Sequence, residues 1–328
     1  MQPYENIKPG ISMGPWGLHY ERTQTWWEQS VAWHQYLTRC QYLLQQGLFV
    51  ADICYLTPEA APQTWIAPYK RDSAKYNFDG CPSEAVLTRM SVKDGRIMLP
   101  DGMNYKLLVL SSSETMTPKL LKKIKELAEA GATIVGAPPK KALGLTNYPQ
   151  CDEEVKKLAA ELWGKCDGIT VKENRIGKGR VVFGKNPEEV LAEMKIDRDF
   201  SSEEFLRYTH RNINGTDVYF VANPKQSIIT TTCQFRMQGM QPEIWNPMTG
   251  ETKKTAQYEE INGSVKMPVT LDPAGSVFVI FRPENKINVS VKNLTRDGEK
   301  VNTDISQNNK KGFEMNLSIC KEIMCTFA

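Results

Sequence analysis

The hydrophobic period of this chain changes near residue 204, and that change limits the fold more than any other feature. Before it, short apolar runs alternate with helical stripes. "YKLLVLSSS" reads as a buried strand, and the helix after it is punctuated at both ends. Thr117 is a side-chain N-cap, Pro118 takes the first helical position, and Gly131 supplies the stop. Leu120, Leu121, Ile124, Leu127 and Ala128 fall on one face of that helix. "ATIVGAPP" is the next strand, so the unit requires a right-handed parallel crossover. A helix at about 152–163, the strand "GRVVFG" and the short helix "PEEVLAEM" extend the series, and "SVKDGRIMLP" is a hairpin with an Asp-Gly turn. The pattern predicts a three-layer α/β domain, flavodoxin-like or glutamine-amidotransferase-like.

After the change, "TDVYFVANP", "SIITTTCQFRM", "QPEIWNPMTGETKKT", "GSVKMPVTL" and "GSVFVIFRP" are short alternating runs separated by Gly, Pro and Asn turns. They predict an antiparallel β-sandwich. "INVSVKNLT" and "FEMNLSICKEIMCTFA" keep a strand-like character to the end.

Ahead of both regions, residues 25–47 read as a helix. Thr25 and Glu28 have the spacing of a capping box, Trp26, Trp33, Leu37, Cys40 and Leu44 form an apolar stripe, and Gly47 ends it. "LFVADICYL" follows as strand. Residues 57–82 are rich in Pro, Ala and polar side chains and read as a long loop, a kind of segment that is often functional.

At 328 residues the chain exceeds the usual size of one core. Its net charge of +3 comes from bases interleaved with acids, as in "KLLKKIKELAEAG", and no basic block with aromatics suggests a nucleic-acid groove. No apolar run approaches the roughly 20 residues of a membrane span. "MQPYENIKPG" has no basic and apolar leader, so no secretory signal is expected. Eight cysteines without a CxxC pair read as buried free thiols, and three histidines argue against a His-rich metal site.

Catalysis by the α/β region is not expected. The turn "SSSETMT" lacks a nucleophile elbow, and residues 83–196 contain no histidine. "GKG" at 177–179 precedes a strand instead of opening a helix, and is a hairpin turn. Trp245 in "WNPMTGE" reads as a core anchor. No D-x-D-x-D-G loop marks calcium, and no metal ligands are assigned.

The chemistry concentrates in "GPWGLHYERTQTWWEQ", residues 14–29, and four of the seven tryptophans lie between Trp16 and Trp33. Sugar sites stack aromatic rings on pyranose faces and address hydroxyls with charged groups. Glycoside hydrolysis needs two carboxyl groups flanking the bond. Glu21 is the candidate catalytic carboxylate, since nothing local explains it as a cap or helix-pair partner. His19, Tyr20, Arg22 and Trp26 are candidate substrate-binding residues, although Trp26 also fits the helix's apolar stripe.

At these residues, and through "DGRIMLPDGMNYKLLVL", "GKGRVVFG", "THRNINGTDVYFVANP" and "LDPAGSVFVIFRP", the chain resembles glycoside hydrolase family 106, the α-L-rhamnosidases. The resemblance covers nearly all of residues 10–283. It implies a longer parent with a (β/α) barrel upstream, inverting hydrolysis of terminal α-L-rhamnosides by a pair of glutamates, a nearby calcium, and action outside the cytoplasm. Residues 1–56 would then be the last strand and helix of that barrel, 57–198 the flavodoxin-like domain, and 199–328 the sandwich. This chain would be a catalytically incomplete C-terminal fragment whose partner is a rhamnose-containing glycan, with neither nucleic acid nor membrane involved. A carbohydrate-binding scaffold is the alternative from another class. A β-galactosidase-like enzyme with an α/β trimerisation domain is a third.

Overall fold

The computed structural model describes residues 25–61, 75–255 and 257–283, and the backbone of 291–296, 299–300 and 323–327. The protein is mixed α/β, with several sheets and few helices. A 3-10 turn at Trp27–Gln29 leads into α1 (Ser30–Gln45). Strands β1 (Leu48–Phe49), β2 (Ile53–Leu56) and β3 (Phe78–Cys81) precede α2 (Ser83–Arg89). Then come β4 (Ser91–Lys93), β5 (Arg96–Met98), β6 (Asn104–Tyr105) and β7 (Leu107–Val109), and after them α3 (Pro118–Ala130) and β8 (Thr133–Val135). α4 (Gln150–Trp163), β9 (Glu173–Ile176), β10 (Gly179–Val182) and α5 (Pro187–Glu193) complete this part.

One six-stranded sheet has the order β3-β2-β7-β8-β10-β9. Its first five strands are parallel and β9 is antiparallel. β2, β7 and β8 are buried along their whole length, as a sheet covered on both faces demands. α3 takes its cap from Thr117, whose hydroxyl accepts from the Leu120 amide, and Glu59 anchors that cap through the Thr117 amide and hydroxyl, both at 2.8 Å. Leu120, Leu121, Ile124, Leu127 and Ala128 are all buried, and Gly131 stops the helix at φ 128°. The β4–β5 turn has positive φ at Asp94 and Gly95, as an Asp-Gly hairpin requires. Gly177 and Lys178 turn β9 back onto β10.

The remaining strands are β11 (Phe200–Ser202), β12 (Arg207–Ile213), β13 (Thr216–Ala222), β14 (Ile229–Phe235), β15 (Pro242–Trp245), β16 (Thr252–Lys254), β17 (Glu259–Ile261), β18 (Ser264–Leu271) and β19 (Ser276–Phe281). They form two antiparallel sheets, β1-β12-β13-β19-β15-β16 and β11-β14-β18-β17. Tyr219, Val221, Val279 and Phe281 of the first share one apolar core with Phe235, Val265, Met267 and Val269 of the second. Backbone strands β20 (Val291–Arg296), β21 (Glu299–Lys300) and β22 (Ile323–Phe327) form a further small sheet. Of the described cysteines, Cys40, Cys54, Cys81, Cys151 and Cys233 are buried and free, and Cys166 is free and half-buried.

The N-terminal helix departs from its sequence reading. The Thr25–Glu28 capping box does not form: the first turn winds as 3-10, and α1 starts at Ser30 with no side-chain cap on Gln29. Ser30 instead donates its hydroxyl to the Trp27 carbonyl at 2.6 Å. Trp33 is 40% exposed and so is not part of the core stripe. The face toward the protein is Tyr36, Cys40, Leu43 and Leu44, packed on Val218, Phe278 and Ile280 of the antiparallel sheet. Gly47 does end the helix, at φ 60°. Its missing side chain is needed for packing as well, because a Cβ there would meet the Asn212 carbonyl oxygen of β12 at 2.1 Å.

The chain then changes sheets within a few residues. β1 pairs with β12, whereas β2 lies between β3 and β7. β2 precedes the expected boundary at residue 56, yet it is an interior strand of the parallel sheet.

Candidate functional site

His19, Tyr20, Glu21 and Arg22 lie outside the described residues. Trp26 is described. It is half-buried beside the 3-10 turn, with its ring edge-on to Trp33 at 6.2 Å between centroids. His34 sits 5.5 Å from the Trp33 ring and 6.2 Å from the Trp27 ring, so the start of α1 carries an aromatic cluster.

A largely buried group of charged side chains lies elsewhere, where the sheets meet, around Asp52, Asp199, His210, Asp217 and Arg236. Asp52 sits in the link between β1 and β2, Asp199 just before β11, His210 on β12, Asp217 on β13 and Arg236 just after β14. Together they line part of a cavity of about 590 Å³. Arg236 reaches both oxygens of Asp52, at 3.1 and 3.2 Å, and approaches Asp199 at 3.5 Å. This bidentate fork is the strong geometry for a guanidinium and a carboxylate. Arg236 also donates to the Asp197 carbonyl at 2.7 Å.

His210 stands between two carboxylates. Nδ1 is 2.9 Å from Asp199 Oδ2, and Nε2 is 2.9 Å from Asp217 Oδ1. Each ring nitrogen thus faces a carboxylate oxygen, an arrangement that an imidazolium, with a proton on both nitrogens, satisfies fully. Burial opposes that charge, but Asp199 and Asp217 outweigh it and raise the His210 pKa. The ring stacks on Tyr219 at 3.8 Å, and the Tyr219 hydroxyl donates to Asp199 Oδ1 at 3.0 Å. Burial, then Asp199, push the Tyr219 hydroxyl well above its ordinary value. Burial likewise raises Asp52, against the lowering effect of Arg236.

This arrangement holds parts together and leaves little for catalysis. Asp199 is 1% exposed and its oxygens serve His210, Tyr219 and Arg236. A general acid or base must reach a substrate proton. Asp199, almost wholly enclosed and with its oxygens already engaged, is poorly placed to do so. Local pattern does not bring this cluster together, because Asp52 and Arg236 are 184 positions apart. One signal was available: in "RYTHRNI" the alternation puts His210 on an inward face, where an unpaired imidazole is costly.

Comparison with known proteins fits this mixed architecture. The family model for α-L-rhamnosidases, glycoside hydrolase family 106, matches residues 1–260. A solved rhamnosidase from Novosphingobium sp. PP1Y superposes with a TM-score of 0.75 at 28% identity, covering 87% of this chain and 28% of that one. A Formosa agariphila protein named "Putative beta-glucuronidase" is 36% identical over 286 residues, 87% of this chain and 24% of its own length. This is a glycoside hydrolase fold of the rhamnosidase type. The chain belongs to glycoside hydrolase family 106 and spans about a quarter of the length of these two relatives.

Proposed function

We propose that this chain contributes the C-terminal α/β and antiparallel layers of an α-L-rhamnosidase, an inverting enzyme that removes terminal α-L-rhamnose from glycans. The family match over residues 1–260, which includes the Trp- and Glu-rich stretch at 14–29, carries this reading. In the proposed mechanism one carboxylic acid protonates the leaving oxygen while a second carboxylate activates water on the opposite face. Glu21 is proposed as one carboxyl group of that site, with His19, Tyr20, Arg22 and Trp26 at its rim. The second is assigned to the upstream barrel of the full-length enzyme. A calcium in the full-length enzyme belongs to the same proposal, with Glu21 open as acid, base or metal ligand.

The finer fold reading belongs to the same proposal: a flavodoxin-like layer at 57–198, which β2 joins from just before that boundary, and a β-sandwich at 199–328. The parallel strand order and the core shared by the two antiparallel sheets support it.

The test is hydrolysis of an aryl α-L-rhamnoside by this chain alone and by the chain extended upstream to the relatives' length. The extended enzyme should turn over and should lose about 10³-fold or more in kcat on Glu21→Gln, as loss of a required acid or base does. An extended enzyme indifferent to Glu21→Gln, or full turnover by the chain alone, would refute this division of labour.

A further inference from the structure

A second cavity, of about 640 Å³, opens where three sheet edges converge: β1 of one antiparallel sheet, β11 of the other, and β3 of the parallel sheet. That volume is within the usual range of small-ligand sites, roughly 300–1,000 Å³. Its walls are aromatic. Tyr76, Phe78 and Phe200 are buried in them, and Phe205 stands at the surface, 42% exposed. Among the described residues its charge has one sign: Lys75, Arg198 and Arg207 line the cavity and no described Asp or Glu does. Lys75 is shared with Glu188, at 3.5 Å outside the lining, whereas Arg198 has no ion pair among the described residues. Ser201, Ser202 and Thr209 add hydroxyls.

We propose that this cavity binds an anionic saccharide, a pyranose unit carrying a carboxylate or a sulfate. Aromatic faces suit the apolar face of a sugar ring, hydroxyl side chains suit its hydroxyl groups, and a guanidinium suits a planar or tetrahedral anion by paired hydrogen bonds. Arg198, with no ion pair and no lining carboxylate among the described residues, disfavours a further cation and favours an anion. The saccharide class rests on the glycoside hydrolase reading; the anionic character rests on the lining alone. The site makes no bond and breaks none. It would hold a charged segment of the glycan away from the reacting linkage.

Calorimetric titration of this chain with trigalacturonate, with a sulfated carrageenan oligosaccharide and with neutral maltotriose tests it. At least one anionic sugar should bind below about 1 mM and at least tenfold more tightly than the neutral one, and its affinity should weaken with added salt. Which anionic sugar binds identifies the charged group. Arg198→Ala should weaken binding about tenfold or more, Arg198→Lys less, and Phe205→Ala several-fold, with melting temperatures unchanged. Lys157→Ala, on α4, should change nothing. Equal affinity for maltotriose, indifference to Arg198→Ala, no binding of either anionic sugar, or equal binding of a short single-stranded DNA would overturn the proposal. None of these outcomes bears on rhamnoside hydrolysis, so the two readings fail independently.

Discussion

Replacing His210 with Phe tests the reasoning about the sheet junction. The aromatic ring keeps its stacking on Tyr219, while both charged donors disappear. Asp199 retains Tyr219 and the longer contact to Arg236, and Asp217 retains Asn212 at 2.9 Å. Two buried charge-assisted hydrogen bonds are lost and two carboxylates are left under-compensated, which costs about 3–5 kcal/mol. The sign with pH follows from His210, whose folded pKa is raised above 6.5. Its contribution is fully present below the unfolded value and is lost as pH rises through the folded one, at up to about 1.4 kcal/mol per pH unit. Urea unfolding across pH 6 to 10 should therefore show a declining limb in the natural protein that His210→Phe flattens. Adding Asp199→Asn to His210→Phe should recover about 1 kcal/mol or more, since the stranded charge is gone. Amide exchange should localise the loosening to β12 and β13. A cost below about 1 kcal/mol, or an unchanged alkaline limb in the variant, would refute the imidazolium assignment.

Gly47→Ala should destabilise by about 2 kcal/mol or more in thermal unfolding, because φ is 60° and the new Cβ meets a backbone oxygen of β12 that cannot yield alone. Thr117→Ala removes the α3 cap and the hydroxyl that Glu59 grips, and should cost about 1–2 kcal/mol by urea titration. Trp163→Phe deletes the indole hydrogen bond to the Gly136 carbonyl and leaves that oxygen unpaired, which should cost about 1–3 kcal/mol on the same scale.

The parts legible in sequence are those with local causes. Thr117, Pro118 and Gly131 bound α3 because caps and stops act within one turn. Asp94 and Gly95 announce their hairpin because only a few residues accept two positive φ angles in succession. The Thr25–Glu28 spacing misled for the same reason that it is a local signal: the 3-10 winding of Trp27–Gln29 moved the helix start to Ser30. What depended on distant pairing was invisible. Nothing near Leu48 says that it will face Asn212, and nothing near Asp52 says that Arg236 will reach it. Glu21 stands as a candidate because no cap or helix pair accounts for it, and it lies outside the described residues.

The docking of α1 has a consequence for synthesis. Tyr36 bonds to Ser276, 240 positions later, and β1 has no ladder until β12 exists. At about 5–20 residues per second, the helix leaves the ribosome roughly 10–50 s before its sheet is complete. Its stripe of Tyr36, Cys40, Leu43 and Leu44 must stay uncovered, or be shielded by a chaperone, for that interval. The N-terminal end of the described chain is thus made first and secured last.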